Sequence, residues 1–130
     1  MAGRVIFFVQ SASFETAWMA GSLGITAAAM GDDVVFVFAF DALRALARDH
    51  FGKPLSEREA VESARADGLG APTPTRMLAE AREMGARFVA CDTMLKLCGL
   101  SPPDLGKRLD EVLGLASLWR LTDGARVLTF

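Results

Sequence analysis

Short uninterrupted apolar runs recur along this chain, separated by longer stretches with helical spacing. Arg4–Val9 (RVIFFV), Asp33–Phe40 (DVVFVFAF) and Arg87–Cys91 (RFVAC) are rich in Val, Phe and Ala and do not alternate with polar residues. Strands covered on both faces, as in a parallel sheet, have this pattern. Between the first two runs, Glu15–Met30 contains no proline. Trp18, Gly21, Ile25 and Ala28 recur there at spacings of three and four, so they share one helix face. Gly21 and Gly24 lower helix propensity but let a helix lie close to a sheet. Gly31 fits the position just past the helix end. Ser11 and Ser13 stand where either side chain can cap its start.

After the second run, Asp41-Ala42 ends the strand and LRALARD reads as helix. Residues 49–74 differ in character, mixing charges with Lys53-Pro54, Gly68, Gly70, Pro72 and Pro74. Within them Ser56-Glu57-Arg58-Glu59 fits a capping box, which predicts a solvated helix over 57–66. Its acidic residues Glu57, Glu59, Glu62 and Asp67 are read as a solvent-facing set. Thr75 is the expected cap of a helix over Arg76–Met84 that stops at Gly85. Asp92–Leu97 reads as a short helix closed by Gly99, and Ser101-Pro102-Pro103-Asp104 starts another turn, since proline suits a first helical position. Leu109–Leu113 is a weaker strand because of Asp110 and Glu111. Ala116–Thr122 and Arg126–Phe130 read as a last helix and strand. Strand and helix in alternation indicate an α/β domain with a mainly parallel sheet. No linker separates two domains, so residues 1–130 are expected to form one, with an excursion at about 49–74.

Composition narrows the function classes. A net charge of −2 with no polybasic tract carries no nucleic-acid footprint. The apolar run after Arg4 is too short for a signal-peptide core or a membrane span. A cytoplasmic, reducing setting follows as the expectation, in which Cys91 and Cys98 are free thiols. On a continuous helix their seven-residue spacing is about 10.5 Å of rise, beyond the roughly 7 Å that a disulfide tolerates between Cα atoms. The QSASFE loop lacks the glycines of a dinucleotide fingerprint and the Gly-Lys-Ser/Thr of a P-loop. His50, the only histidine, has no cysteine or histidine at ligand spacing and reads as a surface residue; no metal or organic cofactor is expected.

The candidate chemistry lies at strand ends. In open α/β sheets ligands gather outside the carboxyl ends of the strands, which is where Ser11, Ser13, Asp41 and Cys91 would all lie. Ser11, Ser13 and Asp41 are candidates for binding a small anionic ligand or nucleotide, or are simply helix caps. Cys91 is a packing residue or a nucleophile. At a helix N-terminus unpaired N–H groups and the helix dipole favour the thiolate, and the neighbouring Asp92 opposes it. Cys98 reads as a small apolar packing residue. Leu118, Trp119 and Leu121 are apolar residues that would serve an interface if the protein were an oligomeric scaffold without chemistry.

The segment MLAEAREMGARFVACDTMLKLCGL, with VVFVFAFDALRAL before it and LASLWRLTDGARVLTF after it, resembles the DsrE/DsrF/DsrH-like superfamily. It is most similar to the DsrE-like proteins often labelled "peroxiredoxin family". The likeness covers nearly the whole chain outside residues 49–72. Met94 stands where relatives commonly have serine, and Cys98 where they often have methionine. The resemblance implies a three-layer α/β/α sandwich with a five-stranded sheet, assembled as a homotrimer or homohexamer. It further implies a sulfurtransferase or sulfur carrier in which Cys91 holds sulfur as a persulfide. The partners would be sulfur-donor and sulfur-acceptor proteins or small thiols, with neither nucleic acid nor membrane involved. The label does not imply peroxidase activity, because the arginine and threonine partners that it requires are not evident.

Overall fold

The computed structural model describes residues 3–130. Strands β1 (Arg4–Val9), β2 (Asp33–Phe38), β3 (Arg87–Cys91), β4 (Glu111–Leu113) and β5 (Arg126–Thr129) form an all-parallel sheet in the order β4-β3-β2-β1-β5. Among the described residues the helices are α1 (Phe14–Ala29), α2 (Phe40–Ala47), α3 (Glu57–Gly68), α4 (Pro74–Glu83), α5 (Asp92–Leu97), α6 (Pro102–Leu105) and α7 (Leu115–Leu121). The α/β class and the five-stranded sheet are those expected from the sequence.

Topology distributes the helices unequally. From β1 to β4 each strand is added on the same side of the last, and right-handed crossovers put the intervening helices on one face. The chain then returns past β1 to lay down β5, so the same handedness puts α7 on the other face. The larger core accordingly joins Phe7, Phe36, Phe38 and Phe88 of the sheet to Ala17, Leu43 and Leu78 of the helices. Its rings pack closely, with Phe7 and Phe36 stacked at 5.2 Å and Phe38 edge-on to Phe88 at 5.0 Å. The smaller core gathers Ile6, Val35, Val37, Val89 and Cys91 beneath Leu118 of α7.

Local departures from expectation have local causes. β2 ends at Phe38 rather than Phe40, because Phe40 lies in the left-handed region at φ 46° and the chain turns into α2 with no loop. Thr73, not Thr75, caps α4 by accepting from Arg76 N, which lets Pro74 take the first helical position where no N–H is needed. Asp110 and Glu111 fix β4 instead of weakening it. Asp110 Oδ2 accepts from Phe88 N at 2.7 Å, and Arg87 pairs with Glu111 at 3.0 Å. Gly24 is buried in α1 directly over Phe36, and a Cβ there would overlap the ring. This bears out the close approach expected of that glycine.

The largest correction concerns Glu59. Ser56 does cap α3 by accepting from Glu59 N, but the Glu59 side chain does not return to Ser56 as a capping box would have it. It is 4% exposed and accepts from Phe14 N at 2.8 Å and from Leu55 N at 2.9 Å. Glu59 is thus a buried clasp between the 49–74 excursion and the start of α1, not part of a solvated face.

Candidate functional site

The turn after β1 is a closed hydrogen-bond unit. Ser13 caps α1, its Oγ accepting from Thr16 N at 3.1 Å, and Ser11 Oγ accepts from Ser13 N at 3.1 Å and lies 3.2 Å from Ser13 Oγ. Together with Glu59 on Phe14 N, this occupies donors that an anion at the start of α1 would need. The capping role expected of one or the other serine falls to Ser13, and the positive end of α1 is already neutralised by a carboxylate.

The turn after β2 lies alongside. Asp41 sits in the first turn of α2, with Arg44 and Arg48 following on the same helix face and His50 just past the helix end. Ser11, Ser13 and Asp41 line one open cleft of about 500 Å³ with Arg44, Arg48 and His50; Ala12, Ala45 and Leu55 supply its apolar wall. Arg44 reaches Asp41 at 3.7 Å and donates to Cys98 Sγ at 3.6 Å. Among the described residues no side chain pairs with Arg48 or His50. His50 is exposed, as expected of a surface histidine, but it faces this cleft. The two arginines escaped the sequence reading, although their spacing from Asp41 puts them on its side of α2.

Cys91 also lies at the carboxyl edge, as the last residue of β3 and the N-cap of α5. Side chains alternate along a strand, so it faces the α7 side of the sheet, away from the cleft. It is 5% exposed and packs with Val37, Val89 and Leu118. The thiol donates to Asp92 Oδ1 at 3.8 Å, and that oxygen accepts from Thr93 N at 2.7 Å. One of the N–H groups expected to favour a thiolate, that of Thr93, is therefore taken by Asp92. The edge gathers all four candidates, but only Ser11, Ser13 and Asp41 share a cleft.

Both cysteines are free. Cys98 closes α5 and packs partly against the larger core, and its sulfur is the one in contact with a cation. Of the candidate interface residues, Leu118 is buried and belongs to the smaller core, whereas Trp119 is 77% exposed. Among the described residues no helix is long and apolar enough to cross a membrane.

No protein-family model matches the chain, and no curated protein does. Solved structures are similar over its whole length. MTH1491 from Methanobacterium thermoautotrophicum, a protein of unknown function, is 20% identical with a TM-score of 0.65, covering 98% of each chain. The ychN protein from E. coli is 20% identical with a TM-score of 0.64 over 100% of both chains. BT1422 from Bacteroides thetaiotaomicron, a conserved protein of unknown function, is 11% identical with a TM-score of 0.65, covering 98% of this chain and 94% of the other. At such identities the likeness is one of fold: this chain has the α/β fold of these three proteins.

Proposed function

We propose that the protein is a DsrE-type sulfur carrier, with Cys91 as the carrier thiol, working in the cytoplasm where both of its cysteines stay reduced. The observation that carries this reading is the position of Cys91. It ends a central parallel strand and opens a helix with no residue between, at the edge where α/β sheets do their chemistry. The resemblance of the surrounding sequence to DsrE-like proteins supports it.

The chemistry is a pair of thiol exchanges. The Cys91 thiolate attacks the terminal sulfur of a polysulfide or donor persulfide, forming a new S–S bond. The old S–S bond breaks, and its electron pair leaves with the donor thiolate. A partner thiolate then attacks the outer sulfur, takes it as a persulfide and regenerates the Cys91 thiolate. No net oxidant or cofactor is consumed. Because Cys91 is 5% exposed in the small core that includes Leu118 of α7, loading requires local opening of that core.

Mass spectrometry after incubation with polysulfide tests the reading. Additional sulfur is expected on Cys91, absent from Cys91→Ser and retained in Cys98→Ser. Loading confined to Cys98, or none at all, removes Cys91 as the carrier. Assembly as a trimer or hexamer belongs to the same reading, and exposed Leu115, Trp119 and Val127 on the α7 side support it. Light scattering coupled to gel filtration is expected to give a trimer or larger, with Trp119→Asp shifted toward monomer. A monomeric parent protein rejects that part.

A further inference from the structure

We infer that the cleft between the β1 and β2 turns is a binding site for a small molecule bearing a tetrahedral oxyanion, held by Arg44, Arg48 and His50. The cleft lies on the other side of the sheet from the Cys91 thiol and is independent of sulfur carriage.

Three features of the cleft converge on this chemistry. First, its charge is locally positive in a chain of net charge −2. Two arginines face one carboxylate, Asp41, which is 74% exposed at its side chain, and the His50 ring adds a further hydrogen-bonding group. Second, these side chains have hydrogen-bonding capacity to spare. Arg48 and His50 have no side-chain partner among the described residues, and the 3.7 Å contact from Arg44 to Asp41 is too long for a good charge-assisted hydrogen bond. Guanidinium groups a turn apart can each present a planar fork to an anion's oxygens. Third, both helix starts beside the cleft are occupied: Ser13 and Glu59 close that of α1, and Ala42 N of α2 donates to Gln10 O at 3.0 Å, which leaves the arginines and His50 as the donors free to hold an anion.

The space decides the size of the ligand. At about 500 Å³ the cleft exceeds what a bare anion fills, and it is within the range of small-molecule sites. Ala12, Ala45 and Leu55 offer a few carbon atoms an apolar wall. A small phosphate ester fits this division, with its charged end on Arg44 and Arg48 and its organic body against Leu55.

Calorimetric titration of the purified protein, in a buffer free of other oxyanions, tests the site with inorganic phosphate and phenyl phosphate as probes. Saturable binding of phenyl phosphate, tighter than that of inorganic phosphate, is expected. Arg48→Ala should weaken it by about tenfold, the scale of one lost charge-assisted bond. Asp41→Asn, which removes the competing carboxylate, should tighten it severalfold. Both side chains are exposed, so both variants should keep the parent melting temperature. Cys91→Ser should bind as the parent does, which separates this site from the carrier thiol. Absence of saturable binding, or binding that Arg48→Ala leaves unchanged, overturns the assignment.

Discussion

Glu59→Ala is expected to lower the stability of the fold by about 2 kcal/mol, because the buried Phe14 N–H left without a partner costs roughly 1–3 kcal/mol. The carboxylate accepts from Phe14 N and Leu55 N, and neither has another partner close by. Phe14 is itself buried at the first position of α1, so water does not simply replace the carboxylate there. A domain of this size holds a total of about 5–15 kcal/mol, so the loss is a large share of it. Urea unfolding should show a lower midpoint at an unchanged slope, since the surface exposed on unfolding is the same. The effect should exceed that of Glu57→Ala on the same helix, because Glu57 is exposed. Equal midpoints for the two variants would show that the clasp between the excursion and α1 contributes nothing to stability.

Gly24→Ala should also destabilise, by about 2 kcal/mol, even though alanine is the better helix former by about 1 kcal/mol. The added methyl meets the tip of the Phe36 ring, which is fully buried and wedged between Phe7 and Phe88. Room can be made only by shifting α1 outward or turning the ring from its rotamer, and interiors packed this densely resist both. Gly68→Ala is the informative control: it is the last residue of α3 with open space around it, so an added methyl meets nothing. Thermal unfolding should fall for Gly24→Ala and not for Gly68→Ala. A Gly24→Ala protein that melts no lower than the parent would refute the tight contact.

What the sequence made readable follows from how local each determinant is. β1, β2 and β3 announce themselves because strands covered on both faces must be continuously apolar, and DVVFVF or RFVAC leaves little alternative. Helix ends at Gly31 and Gly85 were equally plain, since both residues adopt positive φ just past a helix. Glu59 was misread because its partners lie 45 residues away at Phe14 and across the turn at Leu55; local spacing made it a capping-box acid. The face on which Cys91 points could have been read from its alternation with Ala90. What covers that face could not, since it depends on β5 returning past β1. The cleft was half legible: Ser11, Ser13 and Asp41 were found as strand-end residues. Arg44 and Arg48 stand in a stretch that reads only as helix, and what they face depends on the β1 and β2 turns lying side by side.

The pairing of β5 with β1 has a consequence for biosynthesis. Of the five strands of this sheet β1 leaves the ribosome before the others and β5 after them, so the backbone N–H and C=O groups of Val5–Phe8 wait for Arg126–Thr129. Until then, the nascent chain carries an open, apolar strand edge and an unlidded sheet face, the two features that most readily recruit a second nascent chain. Closing so long a loop also slows the final step, because distant segments must meet before their contacts contribute. Folding of this chain should therefore be completed late, and shielding of that edge by a chaperone should raise its yield more than it would for a sheet built in sequence order.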